Sequence, residues 1–226
     1  MHSHSRAGIT LAALAVSVLL ARPASAQLIN GSFENTGGTF VNNGNGYMIV
    51  NVGSTTIPGW TVTNAPLAWL TVPNSASIAL DDGNFFLDLT GDQDNGVFGG
   101  VTQTVNTIPG SSYTLGLDLG TQESSSQFRG PVSVNVQTGA TSQGFTFTPS
   151  VGATGTQWKN FTLNFLASGT TTPITIRGTG AGGGAYLGVD HVTLSAGTPA
   201  TPEPGMLALL TGLGISGLAM RRRARR

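Results

Sequence analysis

The chain has 226 residues, no cysteine, and equal numbers of acidic and basic side chains, 10 of each. Without cysteine, neither a disulfide framework nor a thiolate zinc site can form. The charges are segregated, because residues 27–200 hold nine acidic and three basic side chains, a formal charge of −6. This excess excludes nucleic acid as a natural partner and suits a cation-binding or sugar-facing protein.

The first 26 residues have the pattern of a signal peptide. Arg6 precedes an apolar run at residues 9–20, and Ala24 and Ala26 are small residues at the positions that a signal peptidase reads. We expect signal peptidase to cleave before Gln27 and the mature chain to be exported.

Residues 27–197 are predicted to form one β-sandwich domain. Apolar and polar residues alternate in many short segments, which are separated by glycine and proline turns, and no helical period appears before residue 205. The pattern predicts an all-β, antiparallel jelly roll, with an immunoglobulin-like sandwich as the alternative. The alternating segments are residues 85–89, 101–105, 113–119, 132–136, 145–147, 161–165, 174–176 and 186–194.

Three short motifs add a resemblance to this prediction. Asn30-Gly31-Ser32-Phe33-Glu34, Ile57-Pro58-Gly59-Trp60 and the strand at 186–194 are similar to segments of galactose-binding-like jelly rolls, as are residues 81–89. That group includes carbohydrate-binding modules and cell-wall domains, so the resemblance implies a polysaccharide ligand. It also implies a structural calcium ion between the first and last strands. The implied ligands are Glu34, Asp190, Asp81 or Asp82, and the carbonyl groups of Ser32 and Asn84.

The strand pattern gives an independent reason to examine Asp190. Strict alternation places it on the same face as Tyr186, Val192 and Leu194, so its carboxylate is expected to point toward the core. A buried charge needs a partner, which is either calcium or a salt bridge from Arg177 or Lys159.

Two other motifs are weaker. Asp92-Gln93-Asp94-Asn95-Gly96 resembles the start of a calcium loop, but Thr102 stands where an EF-hand has its bidentate glutamate, so a solvated loop is expected. The glycines at 178–183 match G-x-G-x-x-G, yet a strand rather than a helix follows, which favours a hairpin connection over a dinucleotide site.

Catalysis is not indicated by the remaining residues. His191 and Asp190 should point to opposite faces of their strand and cannot form a relay directly. Asp88 and Asp118 are expected on polar strand faces, where they serve solubility rather than glycoside hydrolysis. We therefore predict that the protein is not an enzyme.

Sugar binding would require exposed aromatic side chains, on which a pyranose ring can stack. The candidates are Trp69, Tyr47 and Phe98, with Trp158 as a further one, while Trp60 is expected in the core. Exposure of these residues would favour polysaccharide binding. Their burial would favour the alternative, a structural or adhesive surface protein that recognises proteins and has no sugar site.

The C-terminal segment carries a second resemblance. A linker at 198–204 ends in Pro202, Glu203 and Pro204, and is followed by sixteen apolar residues at 205–220 and by five arginines within 221–226. This order resembles the PEP-CTERM sorting signal. The resemblance implies a transmembrane helix with a cytoplasmic tail, processing by an exosortase, and release to the cell surface or matrix. At about 24 Å the helix is short for a bilayer, and a permanent anchor is the alternative.

Overall fold

The structure is a computed structural model that describes residues 27–91, 96–122, 130–181 and 186–197. These residues contain eleven strands and no helix, so the all-β prediction is confirmed. The strands are β1 (Tyr47–Val50), β2 (Thr61–Thr63), β3 (Leu67–Thr71), β4 (Phe85–Asp88), β5 (Gly100–Asn106), β6 (Ser112–Gln122), β7 (Val132–Thr138), β8 (Thr141–Phe147), β9 (Thr156–Leu166), β10 (Thr171–Ala181) and β11 (Gly188–Ala196).

The strands form two antiparallel sheets. One has six strands in the order β1-β3-β4-β11-β6-β9, and the other has five in the order β2-β5-β10-β7-β8. Sequence neighbours β6 and β7 lie in different sheets, as do β8 and β9, so the chain crosses repeatedly between the layers.

The main core fills the space between the sheets. In β7, for example, Val132, Val134 and Val136 are fully buried, while Ser133 and Asn135 alternate with them toward the outside. Trp60 also lies in this core, as predicted. This arrangement is the sandwich that period-2 alternation predicts.

The six-stranded sheet carries a second apolar cluster on its outer face. Ala68, Leu70, Phe86 and Tyr186 are buried there beneath Ile78 of the segment that joins β3 to β4. Strand β3 is therefore buried on both faces, because Leu67 and Trp69 belong to the main core.

The predicted features of both chain ends lie outside the described residues. They are the signal peptide with Ala24 and Ala26, the Pro202-Glu203-Pro204 motif, the span 205–220 and the arginine tail. Gln27, the predicted first mature residue, is described and exposed. In the described part of the chain, no helix has the length and apolar character needed to cross a membrane.

Candidate functional site

Two acidic side chains meet on the outer face of the six-stranded sheet. Asp190 of β11 lies directly opposite Asp118 of β6 in the antiparallel register, and the two residues are 0% and 6% exposed. Asp190 Oδ2 accepts a hydrogen bond from the Asp82 amide at 3.2 Å, and its Oδ1 accepts one from the His191 amide at 2.6 Å. The loop before β4 thus closes over the acidic pair.

A β-bulge brings His191 to the same place. The β11–β6 register shifts between Asp190 and Thr193, and His191 has a φ of 47°. Bulges turn side chains away from strict alternation. The exposed ring of His191 lies with its Nδ1 3.1 Å from Asp118 Oδ2, while Asp118 Oδ1 accepts a hydrogen bond from Asn160 Nδ2 at 2.8 Å.

Asp81 completes what we call the acid–histidine cluster, namely Asp81, Asp118 and His191. One ligand atom from each of these residues lies within 4.8 Å of those from the other two. Partial burial, a hydrogen bond with Asp118 and the charge of Asp118 raise the pKa of Asp81 to about 6, although the charge of His191 opposes this shift. Burial also raises the pKa of Asp190 to about 8, although amide hydrogen bonds from His191 and Asp82 oppose this shift.

The bulge corrects the expected environment of Asp190. Asp190 is buried as predicted, but on the outer face of the sheet, because its neighbour Val189 lies in the main core. The register shift after Asp190 then places Val192 in the main core as well. The neighbouring acids differ from expectation in the same way. Asp88 and Asp118 are buried rather than solvated, and Asp88 Oδ1 accepts hydrogen bonds from the Thr90 amide and hydroxyl at 2.9 and 2.7 Å.

The salt-bridge alternative for Asp190 is wrong. Lys159 lies over the ring of Phe161, 5.3 Å from its centroid, and Arg177 is exposed on β10 in the other sheet. Within the described ranges, the ion pair of the structure is His191 with Asp118.

Glu34 contacts one other predicted calcium ligand, Asn84. Its Oε1 accepts hydrogen bonds from the Asn84 and Phe85 amides at 2.7 and 2.6 Å, so it fastens the loop at the start of β4. No trio of His, Asp or Glu that includes Glu34 meets the 4.8 Å spacing in the part of the chain that the structure describes. The first and last segments are joined instead by a hydrogen bond from the Val192 amide to the Gly31 carbonyl. The calcium ion with Ser32, Glu34, Asp81, Asp82, Asn84 and Asp190 stays a prediction.

The aromatic candidates are less exposed than a sugar platform requires. Trp69 is 0% exposed, so the proposed role of Trp69 in stacking on sugar is wrong. Tyr47 and Phe98 are half-buried against the second cluster and the main core, respectively, and their roles stay predictions. Trp158 is also half-buried, packs edge-to-face on Phe86 and donates from Nε1 to the Ala79 carbonyl at 3.1 Å.

The sequence analysis missed an open cleft beside Tyr47, which we call the polar cleft. It has a volume of about 380 Å³ and no charged residue in its lining. Its two walls are held together by hydrogen bonds from the Thr71 amide to the Gly46 carbonyl and from the Ser75 amide to the Asn45 carbonyl, both 2.8 Å. The lining residues are Asn42, Gly44, Asn45, Gly46, Thr71, Val72, Pro73, Asn74 and Ser75.

Side chains of the cleft also shape its walls. Asn42 Oδ1 accepts hydrogen bonds from the Gly44 and Gly46 amides at 2.8 and 2.9 Å, and Asn74 Oδ1 accepts one from the Ile78 amide at 3.0 Å. Such asparagine turns fix a loop without regular structure. The closely spaced asparagines and glycines at 42–46 are the signal that could have indicated this loop.

Comparison with known proteins assigns the domain to a family. Residues 26–192, well over half of the chain, match the family described as "Protein of unknown function (DUF642)". The chain belongs to the DUF642 family. The matched range of this DUF642 domain includes the polar cleft and the acid–histidine cluster, and it ends before the C-terminal segment. No curated protein matches the chain.

Solved structures similar to the DUF642 domain are distant. A CBM4 structure has 18% identity and a TM-score of 0.40, covering 76% of this chain and 100% of its own. TmCBM61 in complex with beta-1,4-galactotriose has 17% identity and a TM-score of 0.40, covering 76% and 98%. The K1 cleaved adhesin domain of Lys-gingipain from Porphyromonas gingivalis W83 has 16% identity and a TM-score of 0.44, covering 74% and 96%.

Proposed function

We propose that this DUF642 protein is an exported, non-catalytic surface or matrix protein that binds neutral carbohydrate in the polar cleft. The observation that carries the proposal is the chemistry of that cleft, which combines three asparagines, a serine and a threonine with no charged side chain. Primary amides both donate and accept hydrogen bonds, as sugar hydroxyl groups do.

The size and shape of the cleft suit a short stretch of glycan. Ligand sites range from about 300 to 1,000 Å³, so a cleft of about 380 Å³ accommodates one or two sugar units. Val72, which is 44% exposed, and Pro73 form an apolar patch in the lining. Such a patch can contact the C–H face of a pyranose ring in place of an aromatic platform.

The same lining supports a binding role rather than catalysis. Glycoside hydrolysis uses two carboxyl groups that face each other across the scissile bond. The cleft is lined by no aspartate, glutamate or histidine, so it offers no general acid or base.

The predicted route to the surface rests on the sequence of the chain ends. The signal peptide pattern before Gln27 supports export, and the Pro202-Glu203-Pro204 segment with its apolar run and arginines supports transient anchoring in the inner membrane and exosortase processing.

The second candidate function is a structural or adhesive protein that recognises other proteins. The burial of Trp69 favours it, because the most prominent aromatic candidate is inaccessible to a sugar ring.

A glycan array probed with the full chain separates the two candidates. We expect binding to neutral glycans, with affinity at least about tenfold lower for Asn45→Ala, since one amide hydrogen bond to a buried partner contributes roughly 1–2 kcal/mol. Asn106→Ala is the matched control, because Asn106 is an exposed asparagine on β5 outside the cleft. Binding to no glycan, or equal binding by both variants, would reject the polar cleft as a sugar site. Arms with EGTA and with added Ca²⁺ test the predicted calcium ion separately.

A further inference from the structure

The acid–histidine cluster is assembled from three separate parts of the fold. Asp81 comes from the loop before β4, Asp118 from β6, and His191 from the bulge of β11. Their ligand atoms all lie within 4.8 Å of one another, and His191 Nδ1 and Asp118 Oδ2 are 3.1 Å apart. Four-coordinate zinc with bonds of about 2.0–2.2 Å needs ligand atoms roughly 3.3–3.6 Å apart. Small side-chain movements therefore produce a metal-binding spacing.

The charge around the cluster is not balanced by protein cations. Asp190 is fully buried and accepts a hydrogen bond from the Asp82 amide. Asp118, which lies opposite Asp190 on β6, is also buried. Lysine and arginine make no ion pair with these acids in the described ranges, where the half-exposed ring of His191 is the pairing group. Burying a carboxylate without a cation is unfavourable, so such a group either holds a proton, as the raised pKa of Asp190 indicates, or pairs with a cation. For Asp118 and Asp81, a bound cation would supply the missing charge.

A buried hydroxyl group gives a separate indication of a ligand. The Tyr186 hydroxyl is fully buried and has no hydrogen-bond partner among the described residues. It lies over Gly188, where a side chain would collide with it, and Gly188 is two residues before Asp190 on β11. Residues two apart share a face of a strand, so the hydroxyl lies on the face of β11 that carries Asp190, over the residue that pairs with Asp88. Buried hydroxyl groups are normally satisfied by protein or ordered water.

We propose that Asp81, Asp118 and His191 bind one divalent transition metal ion, such as Zn²⁺, on the outer face of the six-stranded sheet. An imidazole with two carboxylates suits zinc and its neighbours in the first transition row, whereas calcium prefers oxygen ligands alone. Water on the ion fills the remaining coordination and gives the Tyr186 hydroxyl its partner. The ion joins the loop before β4 to β6 and β11. The site shares only Asp81 with the predicted calcium set and is independent of the polar cleft.

Titration calorimetry with ZnCl₂ tests the site on the full chain, purified in mild detergent because both ends are apolar. The protein carries His2→Ala and His4→Ala, so that His191 is its single histidine. After treatment with EDTA and buffer exchange, we expect one equivalent of Zn²⁺ to bind. His191→Asn should weaken binding at least about tenfold, as should Asp118→Asn. Asparagine tolerates the positive φ at position 191, and the His191 side chain is 50% exposed, so this variant leaves the core intact.

The control variant is Asp82→Asn, which makes the same charge change in the same loop outside the trio. We expect it to bind Zn²⁺ within about twofold of the parent, because a surface charge near a site has a modest effect. Co²⁺ provides a spectroscopic readout, since His191→Asn should abolish its visible absorption band. Two results would overturn the proposal: no zinc binding, whether or not Ca²⁺ binds, or equal zinc binding by His191→Asn and the parent chain.

Discussion

The outer faces of the two sheets satisfy their polar side chains in different ways. On the five-stranded sheet, neighbouring polar side chains pair with each other, as Thr102 does with Thr175 at 3.0 Å and Ser133 with Thr146 at 2.8 Å. On the six-stranded sheet, a loop covers much of the outer face and buries both an apolar cluster and aspartates. Neutral hydroxyl groups on the solvent-exposed face form hydrogen bonds with each other, whereas carboxylates beneath a loop depend on backbone amides or on a cation.

The two outer faces also differ in how many perturbed groups they carry. The cross-strand pairs of polar side chains on the outer face of β5, β10, β7 and β8 require no bound ion, so substitutions there should be tolerated. The covered face concentrates unusual backbone, raised pKa values and an unpartnered hydroxyl in one place. Strained and perturbed groups are frequent at ligand sites, so the covered face suits the proposed metal site, which is separate from the polar cleft.

The largest effect should come from the second apolar cluster. Phe86 is fully buried on the covered face and packs edge-to-face with Trp158 and Tyr186. Phe86→Ala should lower the free energy of unfolding by about 3–5 kcal/mol, as in a main core, because it leaves a cavity. Urea denaturation measures this loss, with Val134→Ala as the comparison inside the sandwich. A loss below about 1 kcal/mol would mean that the loop covers the sheet without stabilising it.

The covered face should also make stability depend on pH. The pKa of Asp190 is raised from 3.8 to about 8, so the folded state binds its proton more tightly than the unfolded state does. This contribution is complete below about pH 4 and is lost as the pH rises toward 8, at up to about 1.4 kcal/mol per pH unit. Urea midpoints measured with EDTA should decline over that window and decline less for Asp190→Asn. An unchanged slope in Asp190→Asn would assign the pH dependence to other groups.

Glu34 provides a smaller test of how the loop is held. Its Oε1 accepts two amide hydrogen bonds, from Asn84 and Phe85. Glu34→Ala should cost about 2 kcal/mol and Glu34→Gln less, because glutamine keeps one acceptor oxygen. If the two variants are equally destabilised, and if added Ca²⁺ stabilises only the parent chain, Glu34 acts as a calcium ligand rather than as a loop anchor.

The sequence predicted the strands that have one apolar face and one polar face. Strands such as β7, with Val132, Val134 and Val136 on one side, were predicted within a few residues. Strands β1 to β3 were missed. In β3, Leu67 and Trp69 enter one apolar cluster while Ala68 and Leu70 enter the other, so polar alternation is absent. The same cause explains the incorrect assignment of Trp69 as a surface residue.

The candidate sites were less predictable, because they depend on departures from regular structure. Strict alternation grouped Asp190 with Val192, but the bulge at His191 moves them to opposite faces and brings His191 to Asp118. A β-bulge inserts one extra residue into a pair of strands. When the bulge contains no glycine, as here, the amino-acid sequence does not indicate its position. The polar cleft forms where residues 42–46 meet residues 71–75 at the end of β3, and no local sequence pattern reveals this approach.

The smallest effect is expected on the open face of the five-stranded sheet. Thr175→Val removes one partner of Thr102, whose hydroxyl still donates to the Ile174 carbonyl at 3.0 Å. Since valine keeps the β-branched shape that suits a strand, stability should change by less than about 0.5 kcal/mol. The same urea assay measures this change. A loss of 2 kcal/mol or more, comparable to that of Glu34→Ala, would show that the polar ladder is as essential as the covered face, and the contrast between the two sheets would fail.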